Sequence, residues 1–405
     1  MYTSKLSVAK ISSFLPKWGN PGLLTILAAG SLTTMAGGVV APVLPDIVQQ
    51  LNLEPGLAAN LVSMHCLTIA LFSPPLGILA DRVGRLKVLV ASLILYAVFG
   101  IVGAMLQSIL PLLISRGLLG AASGGIAAAS LGLLGNMYEG QERSQALGYA
   151  TSTLTITGIL FPLLGGWVGA SHWQYAFYLY GIGFPLALIA AIVLKEQSSQ
   201  KPKETAQPSY KLAEVLGHQQ TLWLLLTLAM ASVVMYAVVI YAPLYLNATI
   251  GAGAVVNGVV LAVRALGAAV VSAFGARRLS QRFGLAKATA VGFGLMAVTL
   301  AIIPLIHELN LILLTSVIFG VGFGIVLPSL YSALANLAPA KLRSSILAAG
   351  TGAGFLGQFL SPILLGSVLK HKGLEGVFYA TAGLSVFAAA FLLIFGSKGL
   401  QKAER

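Results

Sequence analysis

The chain has 405 residues, of which 57% are hydrophobic and only 9% are charged, and its formal net charge is +13. About a quarter of the residues in an average soluble domain are charged, so a charged fraction of 9% excludes a soluble protein. Together with a mean hydropathy of +0.91, it indicates an integral membrane protein. A basic excess in a soluble chain would suggest nucleic-acid binding. Here the cations sort by side of the membrane instead, and we predict no nucleic-acid partner.

Twelve apolar runs are bounded by charged residues, Pro or Gly. Each is long enough to cross a bilayer as a helix, which takes about 20 residues. The first run is too long for the apolar part of a signal peptide, so we expect it to be retained as a helix. The sequence predicts an all-α membrane protein with twelve transmembrane helices. The runs cover residues 22–45, 57–79, 87–106, 109–135, 145–169, 175–194, 220–244, 254–276, 285–305, 310–335, 345–369 and 375–396.

The Lys and Arg residues are distributed very unevenly between the two sides of this predicted topology. With the N-terminus inside, 20 of the 24 fall on the cytoplasmic side, two (Lys370 and Lys372) fall outside, and two (Arg116 and Arg264) lie within spans. Positive charges favour cytoplasmic loops. We therefore predict a multi-pass protein of the inner or plasma membrane with both termini in the cytoplasm.

The chain consists of two halves joined by one polar segment. Residues 196–219 are rich in Lys, Gln, Ser and Pro, as is typical of a linker, so we predict bundles of six helices at 1–195 and 220–405. The halves repeat at a constant offset of 200 residues. Parallel repeats of this kind predict a pseudo-twofold axis along the membrane normal, with the substrate site between the halves near mid-membrane. Repeated positions include Arg82 and Arg282, Gly84 and Gly284, Arg143 and Arg343, and Pro162 and Pro362.

A polar turn between the second and third runs carries four charges, in the sequence Gly77-Ile-Leu-Ala-Asp81-Arg82-Val-Gly84-Arg85-Leu-Lys87. This turn resembles the signature of the major facilitator superfamily of secondary transporters. The resemblance implies two pseudo-symmetric bundles of six helices and substrate movement by alternating access. In the second half the turn is degraded, with Gln281 in the place of Asp81.

The resemblance also implies a gate. In transporters of this kind the residue that Asp81 matches caps the N-terminus of the eleventh span and helps to hold the cytoplasmic side closed, where a helix dipole favours a carboxylate. We therefore expect a conformational switch at this turn and after the fourth span. Its predicted members are Gly77, Asp81, Arg82, Gly84, Arg85 and Arg143.

Two arginines lie inside predicted spans, where a cation costs roughly 2.5–3.5 kcal/mol on insertion scales and is seldom found without a partner or a watery cavity. Arg116 is followed by small residues and resembles the family's fourth-helix pattern, which is linked to proton transfer. The alternative is a structural arginine satisfied by backbone carbonyls. No Asp or Glu lies at mid-depth in any span to pair with Arg264. Arg264 therefore either binds an anionic substrate group, or it snorkels or pairs with Tyr and carbonyl oxygens.

Few titratable groups are available to couple transport to protons. His65 can titrate near physiological pH, although a lone membrane histidine is more often a hydrogen-bonded packing residue. The carboxylates are Asp46, at the outer end of the first span, and Asp81. Many drug-proton antiporters of the family carry an acidic residue inside the first span. In this chain Ser31, Thr33 and Thr34 are the polar side chains of residues 30–43, which argues against a cationic drug.

The fifth span ends in a partial match to the signature of the family's exporters, with Gly158, Pro162 and Gly166 in place and Phe161 where a glycine is usual. In that signature the glycines allow close helix packing and the proline bends the axis. Uncharged polar side chains in other spans, among them Tyr236, Tyr331 and Gln358, would line a central cavity in this family. The alternative is that they hydrogen-bond between helices.

The sequence contains no metal-ligand cluster, nucleophile triad or phosphate-binding loop, so we predict no enzyme activity and no cofactor. We predict a secondary active exporter of a small anionic or zwitterionic organic molecule, such as a metabolite, siderophore or amphiphile, acting as a monomer by proton antiport in the lipid bilayer. The alternatives are a multidrug/proton antiporter for cationic or neutral drugs and an anion importer or exchanger of the same fold. A sensor without transport is disfavoured by the retained gate signature.

Overall fold

The computed structural model describes residues 20–138, 140–195, 212–337, 339 and 342–396, and helices account for nearly all of them, with no strand in these ranges. Residues 1–19, most of the predicted linker (196–211) and residues 397–405 lie outside the described residues. The terminal lysines and most of the linker on which the predicted orientation and division depend are therefore not among the residues described.

Eleven long helices are apolar enough to cross a membrane in the part of the chain that the structure describes. A linker helix, Leu212–Gly217, precedes the seventh of them, and a short basic helix, Ala276–Phe283, follows the eighth. The long helices are α1 (Pro21–Gln50), α2 (Pro55–Val83), α3 (Arg85–Met105), α4 (Ile109–Met137), α5 (Gln141–Val168), α6 (Trp173–Val193), α7 (Gln219–Ile250), α8 (Ala254–Phe274), α9 (Leu285–Leu305), α10 (Leu309–Leu337) and α11 (Ser345–Ile394).

The predicted twelve spans are present, and the last two meet at a kink inside α11. The chain turns at Gly373, whose φ of 68° and ψ of −170° are not helical. Only glycine adopts this conformation readily. The two spans predicted at 345–369 and 375–396 therefore lie on either side of this kink, as the sequence indicates.

The repeat is visible in the backbone at the turn that the sequence singled out. Gly84 separates α2 from α3 with φ 114° and ψ 131°, and Gly284 separates the short basic helix from α9 with φ 81° and ψ 156°. Both glycines have a positive φ, which L-residues avoid. The same tight corner is therefore built at the same place in each half.

Buried apolar residues form two clusters. One lies entirely within residues 224–392. The other fills the first half and continues into the second half through residues of 236–261, Leu365 and Val377. We call α1–α6 the N-terminal half and α7–α11 the C-terminal half. We call the membrane side that carries the turn at Gly84 the basic side, and the other the opposite side.

The two halves are joined at mid-depth and on the opposite side. On the opposite side Asn257 Nδ2 donates to the Pro42 carbonyl oxygen (3.2 Å), and Gln49 Nε2 donates to Asn247 Oδ1 (3.0 Å). The remaining hydrogen bonds between halves in the described part of the chain lie near mid-depth. On the basic side, Leu71 and Ile78 of α2 are more than half exposed. No hydrogen bond between described residues joins the halves on the basic side, so we call the structure closed on the opposite side and open on the basic side.

Candidate functional site

Arg116, on α4, is completely buried and its guanidinium is surrounded by acceptors. Nε donates to the Leu61 carbonyl oxygen (3.0 Å), Nη1 donates to Tyr180 Oη (2.8 Å), and Nη2 donates to the Ala36 carbonyl oxygen and to His65 Nδ1 (3.3 Å). The Tyr180 ring also lies 5.7 Å from the guanidinium carbon. These contacts join four helices of the N-terminal half, and they match the structural alternative for Arg116.

His65 continues this arrangement from α4 towards the C-terminal half. Because the Arg116 guanidinium can only donate, His65 Nδ1 must be the unprotonated nitrogen, and the neutral ring carries its proton on Nε2. Nε2 lies 3.4 Å from Cys66 Sγ, which is 3.1 Å from Gln358 Oε1 and 3.5 Å from Tyr236 Oη. A chain of polar contacts therefore runs from a buried cation in one half to an amide in the other.

Tyr236, on α7, inserts into the N-terminal half. Its hydroxyl donates to the Val62 carbonyl oxygen (3.0 Å), and its ring centroid lies 6.5 Å from that of His65. A Cβ at Gly37 would lie 2.7 Å from the Tyr236 hydroxyl and 3.1 Å from His65 Cε1. The missing side chain at Gly37 therefore makes room for the contact between the halves.

Arg264, on α8, is half-buried, and its Nε is buried without a hydrogen-bond partner. No hydrogen bond or ion pair joins its guanidinium to any described residue, although Tyr236 lies close enough to interact with it electrostatically. A Cβ at Gly320 would collide with the Arg264 carbonyl oxygen, so α10 packs tightly against the backbone of α8. The backbone of Arg264 is fixed while its charge is unpaired.

Two other predicted pathway residues lie away from this centre. Asp46 is half-buried near the end of α1 on the opposite side. Tyr331 Oη lies 3.3 Å from Thr351 Oγ1 and links α10 to α11 within the C-terminal half. The structure therefore brings together Arg116, His65, Tyr236 and Gln358, with Arg264 close to Tyr236, and it leaves Asp46 and Tyr331 outside that group.

The predicted gate residues surround the turn between α2 and α3. Asp81 forms an ion pair with Arg85 (2.7 Å), and Arg85 also donates to the Gly132 carbonyl oxygen of α4. Asp81 makes no hydrogen bond to α11 among the described residues, so the cap on the eleventh span that the resemblance implies is not formed in this open-sided state. Arg82 is exposed, Ala128 lies against the Cα of Gly77, and the Arg143 guanidinium lies over Gly135.

The glycine signature of α5 makes a close helix contact at one end only. A Cβ at Gly166 would collide with the Ala254 carbonyl oxygen of α8, and one at Gly258 would collide with the Pro162 carbonyl oxygen. A Cβ at Gly158 would meet nothing within 4 Å, so this glycine takes part in no such contact here. The close approach of α5 and α8 therefore lies towards the opposite side, where the halves are joined.

Three residues of the site, Tyr180, Tyr96 and Cys66, were not predicted from the sequence. Tyr180 donates to the Ala36 carbonyl oxygen (2.8 Å) and contacts Arg116, and Tyr96 donates to the Leu32 carbonyl oxygen (2.8 Å) beside it. Their rings meet edge to face at 5.4 Å. Cys66 is the third of these residues and contacts His65 and Gln358. Its position next to His65 was the available signal.

Comparison with known proteins agrees with this architecture. A family profile described as Major Facilitator Superfamily matches residues 26–362 and 247–405. The chain belongs to the major facilitator superfamily. It is therefore a membrane transporter and not an enzyme, and the predicted family, helical fold and transporter class are confirmed. Members of this superfamily bind small-molecule substrates.

Curated relatives of this superfamily member include multidrug and quinolone resistance proteins. "Multidrug resistance protein MdtG" of Klebsiella pneumoniae (strain 342) is 26% identical over 375 residues, covering 89% of this chain and 90% of that protein. "Quinolone resistance protein NorA" of Staphylococcus aureus (strain COL) is 23% identical over 377 residues, covering 88% and 92%. "Multidrug transporter protein MdtP" of Bacillus subtilis (strain 168) is 27% identical over half of this chain and 37% of its own length.

Solved structures share the fold at low identity. A bacterial homolog of the human lysosomal transporter Spinster, in an inward-facing and unoccupied conformation, superposes with a TM-score of 0.79 at 17% identity, over 94% of this chain and 97% of that one. A point mutant of the nucleoside transporter NupG gives a TM-score of 0.77 at 13% identity, over 92% and 100%. These likenesses describe the fold alone.

Proposed function

We propose that the protein exports a small organic molecule with an anionic or zwitterionic group, by alternating access, and that Arg264 binds the anionic group. The observation that carries this proposal is the unpaired Arg264 guanidinium at the junction of the two halves. A buried charge without a partner is costly. A substrate carboxylate, sulfonate or phosphate would supply the missing partner and form charge-assisted hydrogen bonds.

The distribution of negative charge supports an anionic rather than a cationic substrate. The carboxylates in the described membrane-spanning region lie at helix ends, as Asp46, Asp81 and Glu142 do. A cationic drug would find no carboxylate at mid-depth and would meet Arg264 instead. The names of two relatives, a multidrug and a quinolone resistance protein, support export as the direction of transport.

Two other functions of the same fold remain as alternatives. A multidrug/proton antiporter for cationic or neutral drugs is favoured by the names of the relatives, and an anion importer or exchanger is favoured by Arg264 alone. A sensor that binds without transporting has less support, because the described residues include the intact turn signature around Asp81.

We infer proton antiport, with His65 as the group that exchanges the proton. In the state open on the basic side His65 is neutral, because Nδ1 accepts from Arg116 at 3.3 Å, and an added proton there would face that cation. Cys66 contacts the other ring nitrogen, Nε2, and it also contacts Gln358 and Tyr236 of the C-terminal half. Movement of the halves would change those contacts of Cys66. A His65→Asn variant should keep counterflow and lose accumulation driven by a pH gradient.

The proposal also covers the orientation, the membrane location, the oligomeric state and the division of the protein into two bundles. We propose that the basic side is cytoplasmic, that the protein lies in the inner or plasma membrane with both termini in the cytoplasm, and that one chain forms the working transporter. The division into bundles at 1–195 and 220–405 is retained with it. The sorting of cations by side supports the orientation. The confinement of one buried cluster to the C-terminal half supports the division.

The test is counterflow in proteoliposomes with a labelled quinolone carboxylic acid, the same compound without its carboxyl group, and a cationic dye. Wild type is compared with Arg264→Met, which places in α8 the residue found at the repeat position Met64 of α2, and with Lys372→Met, a matched loss of charge at an exposed site. We expect wild type and Lys372→Met to transport the quinolone carboxylic acid and Arg264→Met not to transport it. Equal movement of the dye in all three variants would establish the multidrug alternative.

A further inference from the structure

A polar cavity lies on the basic side of the C-terminal half, away from the junction of the halves. Its volume is about 600 Å³, and it is enclosed by the basic-side ends of α8, α9 and α10 and by the short basic helix. Its walls carry four hydroxyls and one amide. The lining residues that matter here are Ser272, Ser280, Gln281, Leu285, Ser329 and Ser332.

The repeat shows how this cavity arises. In the N-terminal half the corresponding space holds the Arg85 side chain, which pairs with Asp81 and donates to the Gly132 carbonyl oxygen. A Cβ at Gly132 would lie 2.8 Å from Arg85 Cδ, so the side chain packs directly onto that glycine. The residues 200 positions later are Leu285, Gln281 and Ser332, and all three line the cavity. Leucine is too short to fill the volume that an arginine occupies.

The cavity walls are also more polar than the corresponding positions of the N-terminal half. Phe72, Ala80 and Ala129 are apolar, whereas the residues 200 positions later are serines. Ser272 donates to the Gly324 carbonyl oxygen (2.9 Å), and Ser329 donates to that of Ile325 (2.7 Å).

Two polar groups of the cavity remain free to bind a guest. Ser280 lies 3.2 Å from Ser329 Oγ, and because Ser329 uses its proton on Ile325, Ser280 is the donor of that bond. Ser332 and Gln281 make no hydrogen bond to any described residue. The Ser332 hydroxyl and the Gln281 amide are therefore available as donors.

The charges around the cavity favour an anionic guest. Arg278, Arg282 and Lys287 are exposed on the short basic helix and the start of α9, and residues 254–305 contain no Asp or Glu. Gln281 has an amide at the position where Asp81 of the N-terminal half has the carboxylate that pairs with Arg85. A cationic guest would find no counter-ion here, while an anion would meet hydroxyl and amide donors beside helix segments that carry three cations.

The surface beside the cavity is suited to lipid. Phe274, at the end of α8, is 72% exposed, and Phe283, at the end of the short basic helix, is 50% exposed. The Arg282 guanidinium lies 5.5 Å from the Phe283 ring centroid. Cations interleaved with exposed aromatic rings are typical of segments at the membrane interface, and basic pockets between helices bind anionic lipid headgroups.

We propose that this cavity, from here on the headgroup cavity, binds the phosphate of an anionic phospholipid, with Ser332 and Gln281 as donors and Arg278, Arg282 and Lys287 as the surrounding charge. A free phosphate ion shares this chemistry, and the exposed Phe274 and Phe283 favour the lipid. The site is independent of the substrate site at Arg264, so a failure of the transport proposal would leave it standing.

The test measures the unfolding temperature of the full-length protein in detergent with phosphatidylglycerol, with phosphatidylcholine, or with phosphatidylcholine plus inorganic phosphate. Wild type is compared with Leu285→Arg/Gln281→Asp, which copies the N-terminal filling, with Gln281→Asp alone, and with Lys372→Gln as the control. A ligand that binds only the folded state raises this temperature. We expect phosphatidylglycerol to raise it for wild type and Lys372→Gln, and both cavity variants to lose the rise.

The double variant should remain folded, because it rebuilds an ion pair that the N-terminal half already contains, and Gln281→Asp provides a second reading if it does not. An equal rise with phosphatidylglycerol in all four proteins would overturn the assignment of the cavity. A full rise with inorganic phosphate in phosphatidylcholine would overturn the lipid assignment and leave a free anion as the guest.

Discussion

The two arginines inside the membrane-spanning helices have opposite surroundings. Arg116 of the N-terminal half is fully buried and donates to two carbonyl oxygens, to Tyr180 and to His65. Arg264 of the C-terminal half is half-buried and has no hydrogen bond to any described residue. Among the described residues, four acceptors surround the Arg116 guanidinium and none bonds to that of Arg264.

This difference separates a structural charge from a binding charge. Removing one partner from a satisfied buried network leaves the others without partners, which is strongly destabilising. Removing a cation that has no partner relieves a desolvation cost and loses only what the cation binds. The same residue type should therefore give opposite results in the two halves when it is replaced by an apolar side chain of similar length.

The largest effect is expected for Arg116→Met. The change removes hydrogen bonds from Leu61, Tyr180 and Ala36, and bonds to charged groups contribute about 1.5–3 kcal/mol each. We expect unfolding to become easier by roughly 3 kcal/mol or more. Thermal unfolding of the purified protein, followed by tryptophan fluorescence, measures this. An unchanged midpoint would contradict the structural role.

Tyr180→Phe tests the same network with a smaller change. It removes a hydroxyl that accepts from Arg116 at 2.8 Å and donates to the Ala36 carbonyl oxygen at 2.8 Å, and it keeps the ring. We expect a loss of about 1–2 kcal/mol, since hydrogen bonds between membrane helices are often weaker than that upper value. Chemical denaturation in detergent gives the difference, and Tyr178→Phe, at an exposed tyrosine of α6, is the matched control.

Cys66→Ala addresses the link between the halves. It removes the contact with Gln358 at 3.1 Å and leaves the bond from Tyr236 to the Val62 carbonyl oxygen. A thiol is a weak donor, so we expect less than about 1 kcal/mol of destabilisation. Counterflow should be retained, and a complete loss of transport with normal folding would show that the thiol does more than join the halves.

The smallest effect on stability is expected for Arg264→Met. No hydrogen bond is lost with this guanidinium, and its desolvation cost is removed. The unfolding midpoint should stay the same or rise, measured beside Arg116→Met in one preparation. A fall as large as that of Arg116→Met would show that Arg264 is also a structural cation.

The sequence predicted the large features because the signals for them are periodic or repeated. Apolar runs of bilayer length predicted all twelve spans, and the offset of 200 residues predicted that the corners at Gly84 and Gly284 correspond, which their positive φ values bear out. The kink at Gly373 falls between the last two predicted spans, where Lys370, His371 and Lys372 interrupt the apolar sequence.

The site was only partly predictable for a different reason. Arg116 and Arg264 could be found as charges in apolar runs, but what distinguishes them is the presence or absence of carbonyl oxygens from other helices. The acceptors at Ala36 and Leu61 are backbone atoms of apolar residues, and no residue type marks them. Tyr180 resembles the other tyrosines of its span until the fold brings it to Arg116.

The measurement that tests the account most directly is the unfolding temperature of wild type and Arg264→Met with and without a quinolone carboxylic acid. The account predicts that the carboxylate raises the midpoint of wild type, that its decarboxylated analogue does not, and that Arg264→Met keeps the midpoint of the free protein but shows no rise with either compound. An equal rise in Arg264→Met would contradict the assignment of Arg264 as the anion-binding residue.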